Sequence, residues 1–390
     1  MQDWIAIECM CTSMDNPAVA IPPASFFVSA YRGGLEVVDR LVGEWRDLCT
    51  RAVDDQPFYR PEWIRAHIRA FIPNPRVLLI AARLDDHLHM VLPLVEEKGT
   101  LGGVPVRKFR APVNAHGGRF DAVRSSGPKG DAAIEATWQY LKKLEGWDLL
   151  QFSDALEGST VGRLAAAAGA DGFHTMQVPE RPSPYVRVPA IGELANGMPP
   201  NSKLRSQLRQ ARRRLSEKGA LIFCRVETAD HDALQHFYRL EASGWKGEEG
   251  SAILCHAATR CFYDEMAESA ARFGYFSLYT LRLEDQLLAA HYAFTHQGCC
   301  YSPKVAYNEN FKEFAPGHLI ISEILQDCAD RGIRHFDITG PNDAWKMKWA
   351  TETRAVNHHF VFKGMLGSAA HGIRYRLRPA IRRLMPGKSA

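Results

Sequence analysis

Two stretches of the chain carry the same pattern of apolar and polar positions. Residues 81–99, AARLDDHLHMVLPLVEEKG, align without gaps on 280–298, TLRLEDQLLAAHYAFTHQG, with identities at Arg83/Arg282, Leu84/Leu283, Asp86/Asp285, Leu88/Leu287 and Gly99/Gly298. In each, an apolar or β-branched run is broken by an acidic pair and then resumes, which predicts a hairpin with a two-residue turn. An aromatic-rich stretch with apolar residues at helical spacing precedes each hairpin: PFYRPEWIRAHIRAFI (57–72) and ATRCFYDEMAESAARF (258–273). Another helix and a short strand follow, the strands being WDLLQFSD (147–154) and RHFDITG (334–340). The same element order thus occurs over 35–190 and 220–363, as internal duplication would produce. Pro-rich stretches, VPERPSPYVRVP and GMPPNSK, mark the boundary, and Asn201 or Ser202 suits the N-cap of a following basic helix. The expected organisation is an extension (1–34), a first domain (35–190), a linker with the basic helix (191–219), a second domain (220–363) and a tail (364–390). The expected fold class is α+β, with tandem domains that each set helices on a mixed sheet.

Composition excludes several classes. The 46% hydrophobic and 24% charged residues are those of a globular protein, and no run reaches the roughly 18 apolar residues of a membrane span. The N-terminus MQDWIAIECMCTSMDNP lacks a basic n-region, so a secretory signal is not expected. Nine cysteines without a C-x-x-C pair suit reduced thiols in a cytoplasm and suggest no zinc site. The net charge of +4 is unevenly spread. Residues 203–218 hold seven Lys/Arg against one Glu, and 364–390 hold five Arg and one Lys with no acid, on an otherwise acidic body. Such segments point to an anionic partner or to solvated helix faces.

The second copy concentrates the chemistry. LEASGWKGEEGSAI (240–253) sets Trp245 and Lys246 between glycines after an amphipathic helix. A loop that only turned would not need the indole; the plainer alternative is a Trp capping the core beside a solvated Lys. YSPKVAYNENFKEFAPGHLI (301–320), FDITG (336–340) and WKMKWA (345–350) follow. With PFYRPEW (57–63) of the first copy, these stretches resemble the GNAT acyltransferases, in the duplicated form of their FemAB-like and CelD-like branch. The resemblance covers most of residues 40–363.

That resemblance implies a site built around a helix start, where free amides and the dipole favour a pyrophosphate. Pro316, Gly317, His318 and Leu319 are the expected turn, and Lys304 the cation for a phosphate or a developing oxyanion. The family's signature, a basic residue–x–x–Gly–x–Gly or Ala, is reduced here to the Pro-Gly pair. Strands 288–294 and 299–307 are expected to splay and line the slot for a pantetheine arm. His291 in its apolar strand and Asp337 at a strand end are the expected bases, with Glu241 as a further carboxylate. Tyr301 would protonate a departing thiolate. Trp245, Lys246, Trp345 and Lys346 would border the acceptor. RAPVNAHGGRFDAV (110–123), the counterpart in the first copy, lacks a clear following helix, so that domain is expected to be structural and acceptor-facing. No Ser-His-Asp order, paired metal ligands or Walker-type loop is present. The implied mechanism is direct amine attack on an acyl-CoA co-substrate, with no permanent cofactor and no metal.

The function so implied is acyl-CoA-dependent N-acylation of a primary amine. The basic tail GIRYRLRPAIRRLM (372–385) would suit an anionic bilayer surface. Some CelD-like proteins are bacterial ceramide synthases, so a long-chain sphingoid base is the expected acceptor, at a cytoplasmic location peripheral to the inner membrane. Three alternatives stay open: an amino-sugar acceptor in exopolysaccharide synthesis, an aminoacyl-tRNA donor tracked by the basic helix, and a non-catalytic scaffold. Nucleic acid is a partner only under the tRNA alternative.

Overall fold

A computed structural model of the chain describes residues 26–101, 103–190 and 201–364. The first half runs β1 (Phe27–Gly33), α1 (Glu36–Thr50), a 3-10 turn (Pro57–Tyr59), α2 (Pro61–Phe71), β2 (Val77–Leu84), β3 (His87–Leu101), β4 (Val104–Arg110), β5 (Val123–Arg124), α3 (Gly127–Lys143), β6 (Leu149–Leu156), α4 (Thr160–Ala170) and β7 (His174–Arg187). Helix α5 (Ser202–Ser216) precedes the second half. That half runs β8 (Leu221–Val226), α6 (His231–Ala242), the single turn α7 (Trp245–Glu248), a 3-10 turn (Ile253–Cys255), α8 (Ala257–Arg272), β9 (Phe276–Leu283), β10 (Gln286–His296), β11 (Cys299–Tyr307), a 3-10 segment (Glu309–Phe314), α9 (Pro316–Asp330), β12 (His335–Asp337), α10 (Ala344–Met347) and β13 (Glu352–Phe362).

The duplication extends to a local irregularity. In the first hairpin Arg83 pairs with Leu88 and Ala82 with Met90, which leaves His89 as a bulge. In the second, Arg282 pairs with Leu287 and Leu281 with Ala289, leaving Leu288. His89 and Leu288 are aligned positions of the repeat. An outer strand completes each half at the same register, Phe27 opposite Arg83 and Ile222 opposite Arg282. The first half therefore begins at β1, within the segment 1–34 that reads as an extension.

The halves do not keep separate sheets. One sheet runs β1-β2-β3-β4-β6-β13-β7-β12-β11-β10-β9-β8, with β5 paired to β3. The last strand of each half is exchanged: β13 pairs with β6 of the first half, and β7 pairs with β12 of the second. The exchanged strands also pair with each other, from Glu352 opposite Tyr185 to Phe362 opposite His174. The expected mixed sheets flanked by helices are present, and the exchange joins those of the two halves into one. Hydrophobic alternation names the face of a strand but not its partner.

One core joins the halves. Buried Trp63 of α2 meets Phe58, Phe262 and Phe294 edge-on at 4.9, 5.1 and 5.4 Å, and its indole N–H donates to Gly117 O at 3.0 Å. Such pairs add to the area they bury. On α5, Leu204, Leu208, Ala211 and Leu215 recur at helical spacing and pack with Leu319, Ile320 and Ile324 of α9 in a second core. Asn201 is the N-cap, its side chain accepting from Leu204 N at 3.1 Å. The basic helix thus packs on the second half. The tail beyond 364, including Ile373, Leu377, Ile381 and Leu384, lies outside the described residues.

Candidate functional site

Strands β11 and β12 pair in parallel over only three positions, Cys299 with His335, Cys300 with Phe336 and Tyr301 with Asp337. Beyond these β12 ends, while β11 runs on to Tyr307. β10 and β11 stay paired, with one register shift, out to Ala289 opposite Tyr307. The strands that part are therefore β11 and β12, not the β10–β11 pair that the sequence suggested. A cleft of about 800 Å³ opens there, lined by both ends of the α6–α7 turn, β11, the start of α9 and the segment after β12.

The first half shows the same parallel pairing, Lys108 to Arg110 of β4 against Leu149 to Gln151 of β6. Its gap is filled by residues 111–122. Phe120 N donates to Asp154 O at 3.2 Å, and Asp121 accepts from Thr160 N and Val161 N at 2.8 and 2.9 Å, capping α4. The same segment turns Ala115, His116 and Gly118 toward the open cleft of the second half.

At the start of α9, Ala315 is left-handed (φ 48°, ψ 51°) and Pro316 occupies the first turn, where no N–H is needed. Lys312-x-x-Ala315-x-Gly317 therefore matches the basic–x–x–Gly–x–Gly pattern, with Ala in the position whose backbone favours Gly. A search for glycines misses it. Arg124-x-x-Gly127-Pro128 at the start of α3 is the equivalent turn of the first half, Gly127 having φ 77°; it lies just past the 110–123 stretch, for which the sequence shows no clear following helix. His318 accepts the Trp349 indole N–H at Nδ1 (2.8 Å). Since indole nitrogen only donates, the imidazole proton sits on Nε2. Burial, then the Lys348 charge, pushes the His318 pKa down to about 4, so the ring is neutral. Leu319 is buried in the core and does not line the cleft.

The opposite wall is charged. Glu241 is fully buried, with Oε1 3.1 Å from Lys246 Nζ and 3.7 Å from Lys304 Nζ, and Oε2 accepting from Ile253 N at 2.8 Å. Lys246 also donates to Val305 O at 2.8 Å. Trp245, 52% exposed, stands at the mouth, so neither reading of it as a core cap nor Lys246 as a solvated side chain describes the loop. His291 is buried with Nδ1 2.8 Å from Ser302 Oγ; burial, then the Lys246 charge, lowers its pKa to about 3. A near-neutral base was expected there, but its surroundings hold the imidazole uncharged. Burial likewise lowers Lys304, against the pull of Glu241. Lys346 donates to Thr339 O and Pro341 O at 2.9 and 3.0 Å. It thereby ties down a turn in which Thr339 has φ 51°, a strained conformation for a β-branched residue. Trp345 lies beside it on the cleft wall.

Two more expected residues lie elsewhere. Asp337 does not open on the cleft: Arg119 reaches its carboxylate at 2.8 Å and Arg354 at 2.6 Å, and Thr339 N donates to it at 2.9 Å. Burial alone would raise its pKa, but the two guanidinium groups and the amide hold it below the usual carboxylate range. Tyr301 packs edge-on to Phe58 at 5.4 Å and faces a different cavity of about 760 Å³, beside Asp54 and Arg354. Burial raises its pKa, which makes it a poor proton donor to the cleft. Ser302, His116 and Tyr263 line the cleft without a local signature, brought together by pairings between distant parts of the chain.

Residues 202–347, from α5 to α10, match the family model described as an acetyltransferase (GNAT) domain. No curated protein matches the chain in sequence. Among solved structures, FemX superposes with a TM-score of 0.57 at 13% identity, covering 85% of this chain and 98% of its own. The C-terminal DUF2156 domain of an Agrobacterium fabrum protein, provisionally named a lysylphosphatidylglycerol synthetase, gives 0.52 at 12%, covering 88% and 97%. A Bacteroides thetaiotaomicron protein of unknown function gives 0.50 at 9%, covering 83% and 97%. At these identities the likeness is one of fold, and it agrees with the expected class of mixed sheets flanked by helices. Among the described residues no cluster of His, Cys, Asp and Glu could hold a metal, and no helix is long and apolar enough to cross a membrane.

Proposed function

We propose that the protein transfers an acyl group from acyl-CoA to a primary amine in the cleft of the second half. The observation that carries this reading is the parting of β11 from β12 beside the start of α9. An extended thioester arm needs a slot between strands whose backbone groups are not used by a neighbour. Its pyrophosphate needs a helix start flanked by donors, here Gly317, His318 and Lys312. The amine, once deprotonated, forms a C–N bond to the thioester carbonyl as the C–S bond breaks. Of the two protons the ammonium loses, one ends on the thiolate and one passes to water. His291, neutral down to about pH 3, can hydrogen-bond the amine and relay its proton with Ser302 but cannot keep it.

Calorimetry of CoA against the wild-type chain and Gly317→Val tests the site. A Cβ at Gly317 meets nothing closer than Tyr307 at 3.5 Å, so the variant folds, while its side chain fills the space the pyrophosphate needs. CoA affinity should fall by at least about tenfold, roughly the 1.4 kcal/mol of one lost charge-assisted contact. Equal affinity removes the site. The sphingoid acceptor and the bilayer surface rest on a tail outside the described residues, and a long-chain amine in anionic vesicles is the assay for them. An aminoacyl-tRNA donor is the second reading, favoured by the exposed Arg209 and Arg213 on α5 beside α9. It requires salt-dependent tRNA binding that competes with CoA.

A further inference from the structure

We infer that the amine accepted in this cleft carries an anionic group, a carboxylate or a phosphate, seated between Lys246 and Lys304; the inference rests on the transferase reading above. The argument is one of charge. Two lysines face one carboxylate on the wall, and Glu241 supplies one negative charge against their two: Oε1 lies near both ammonium groups and Oε2 accepts from Ile253 N. Lys304 is the less satisfied of the two. At 3.7 Å its ammonium is beyond hydrogen-bond reach of Glu241, and it lies 5.4 Å from the Tyr263 ring centroid. The side chains of Lys246 and Lys304 are only 18% and 13% exposed, so water screens the excess charge poorly.

No other carboxylate of the wall is paired with either lysine: Glu309 stands at the mouth, where it accepts from Trp245 N, and Asp343 is taken by Lys346 and Arg181. His291 and His116 respond to the same field: after burial, Lys246 is what lowers the first and Lys304 the second. Place separates this charge from the donor's phosphates. Glu241 and Tyr263 belong to α6 and α8 in one core, whereas α9 packs in the other. Trp245 stands over the entrance on the α6 side, beside the group we assign to the acceptor.

The test uses amines that differ only in the anion: tyramine against tyrosine, and glucosamine against glucosamine 6-phosphate. Each is titrated by calorimetry into the full chain with CoA bound. The anionic member of at least one pair should bind about tenfold tighter or more, as a charge-assisted contact in a poorly screened site requires. Lys304→Met should bring that pair to parity, and Lys304→Gln serves if the Met variant does not fold. Parity in the wild-type chain overturns the inference, since the charge would then be relieved by loss of the Lys304 proton. Succinyl-CoA binding about tenfold tighter than acetyl-CoA, with the amine pairs equal, assigns the lysines to the donor and overturns it too. Failure of CoA itself to bind counts instead against the transferase reading.

Discussion

Trp349 acts on the cleft through a proton position. With its indole N–H on Nδ1, His318 presents Nε2–H, and a low pKa keeps the ring neutral across the physiological range. Trp349→Phe removes the donor and frees the tautomer. Nitrogen-15 shifts of the His318 ring should then show mixed protonation, and CoA affinity should drop about 2- to 10-fold, the worth of one neutral hydrogen bond. Unchanged shifts would mean the indole does not set the tautomer. At Ala315, three residues earlier, the left-handed backbone costs an L-residue about 1–2 kcal/mol. Ala315→Gly removes that cost but adds about 0.4–1 kcal/mol of unfolded-chain entropy. The net expectation is a gain of roughly 0.5–1 kcal/mol in denaturant unfolding. This position shows how local geometry hides from sequence: Ala carries no signal for a left-handed turn, so the Lys312-x-x-Ala315-x-Gly317 turn reads as a bare Pro-Gly pair.

At the scale of elements, what is local is legible and what is shared is not. The hairpins, the helices before them, the N-cap at Asn201 and the start of α9 follow from periodicity and turn chemistry, which act over a few residues. The exchanged strands do not. Nothing local in β7 or β13 names its partner, and only the assembled sheet shows that β13 lies between β6 and β7. A chain ended after Ala350 should therefore lose more than the second half. Without β13, β6 and β7 of the first half have no strand between them, and a single cooperative loss of structure by circular dichroism is expected at room temperature. If the first half instead melts as a separate, native-like transition, the exchange is not what holds it.

At the scale of the molecule, one ion cluster ties the halves. Arg119 comes from the segment that fills the first half's gap, Asp337 from β12, and Arg354 from the exchanged β13. Arg119 and Asp337 are 218 residues apart, which is why Asp337 read as a free carboxylate at a strand end. Asp337→Asn leaves two guanidinium groups without their counter-charge and should cost about 3–5 kcal/mol in guanidinium unfolding. The sign of its pH dependence follows from the lowered pKa. The contribution is complete above the unfolded carboxylate value of about 4 and disappears as pH falls through the lower folded value. Acid unfolding of the wild type should steepen in that window, and the Asn variant should lack that component. The exchange of strands also sets a schedule during synthesis. β6 leaves the ribosome roughly 200 residues before β13, so at about 5–20 residues per second its edge waits some 10–40 s for its neighbour. For that interval the nascent first half presents an unpaired strand to anything nearby, and slowing elongation late in the message should lower soluble yield without changing a single residue.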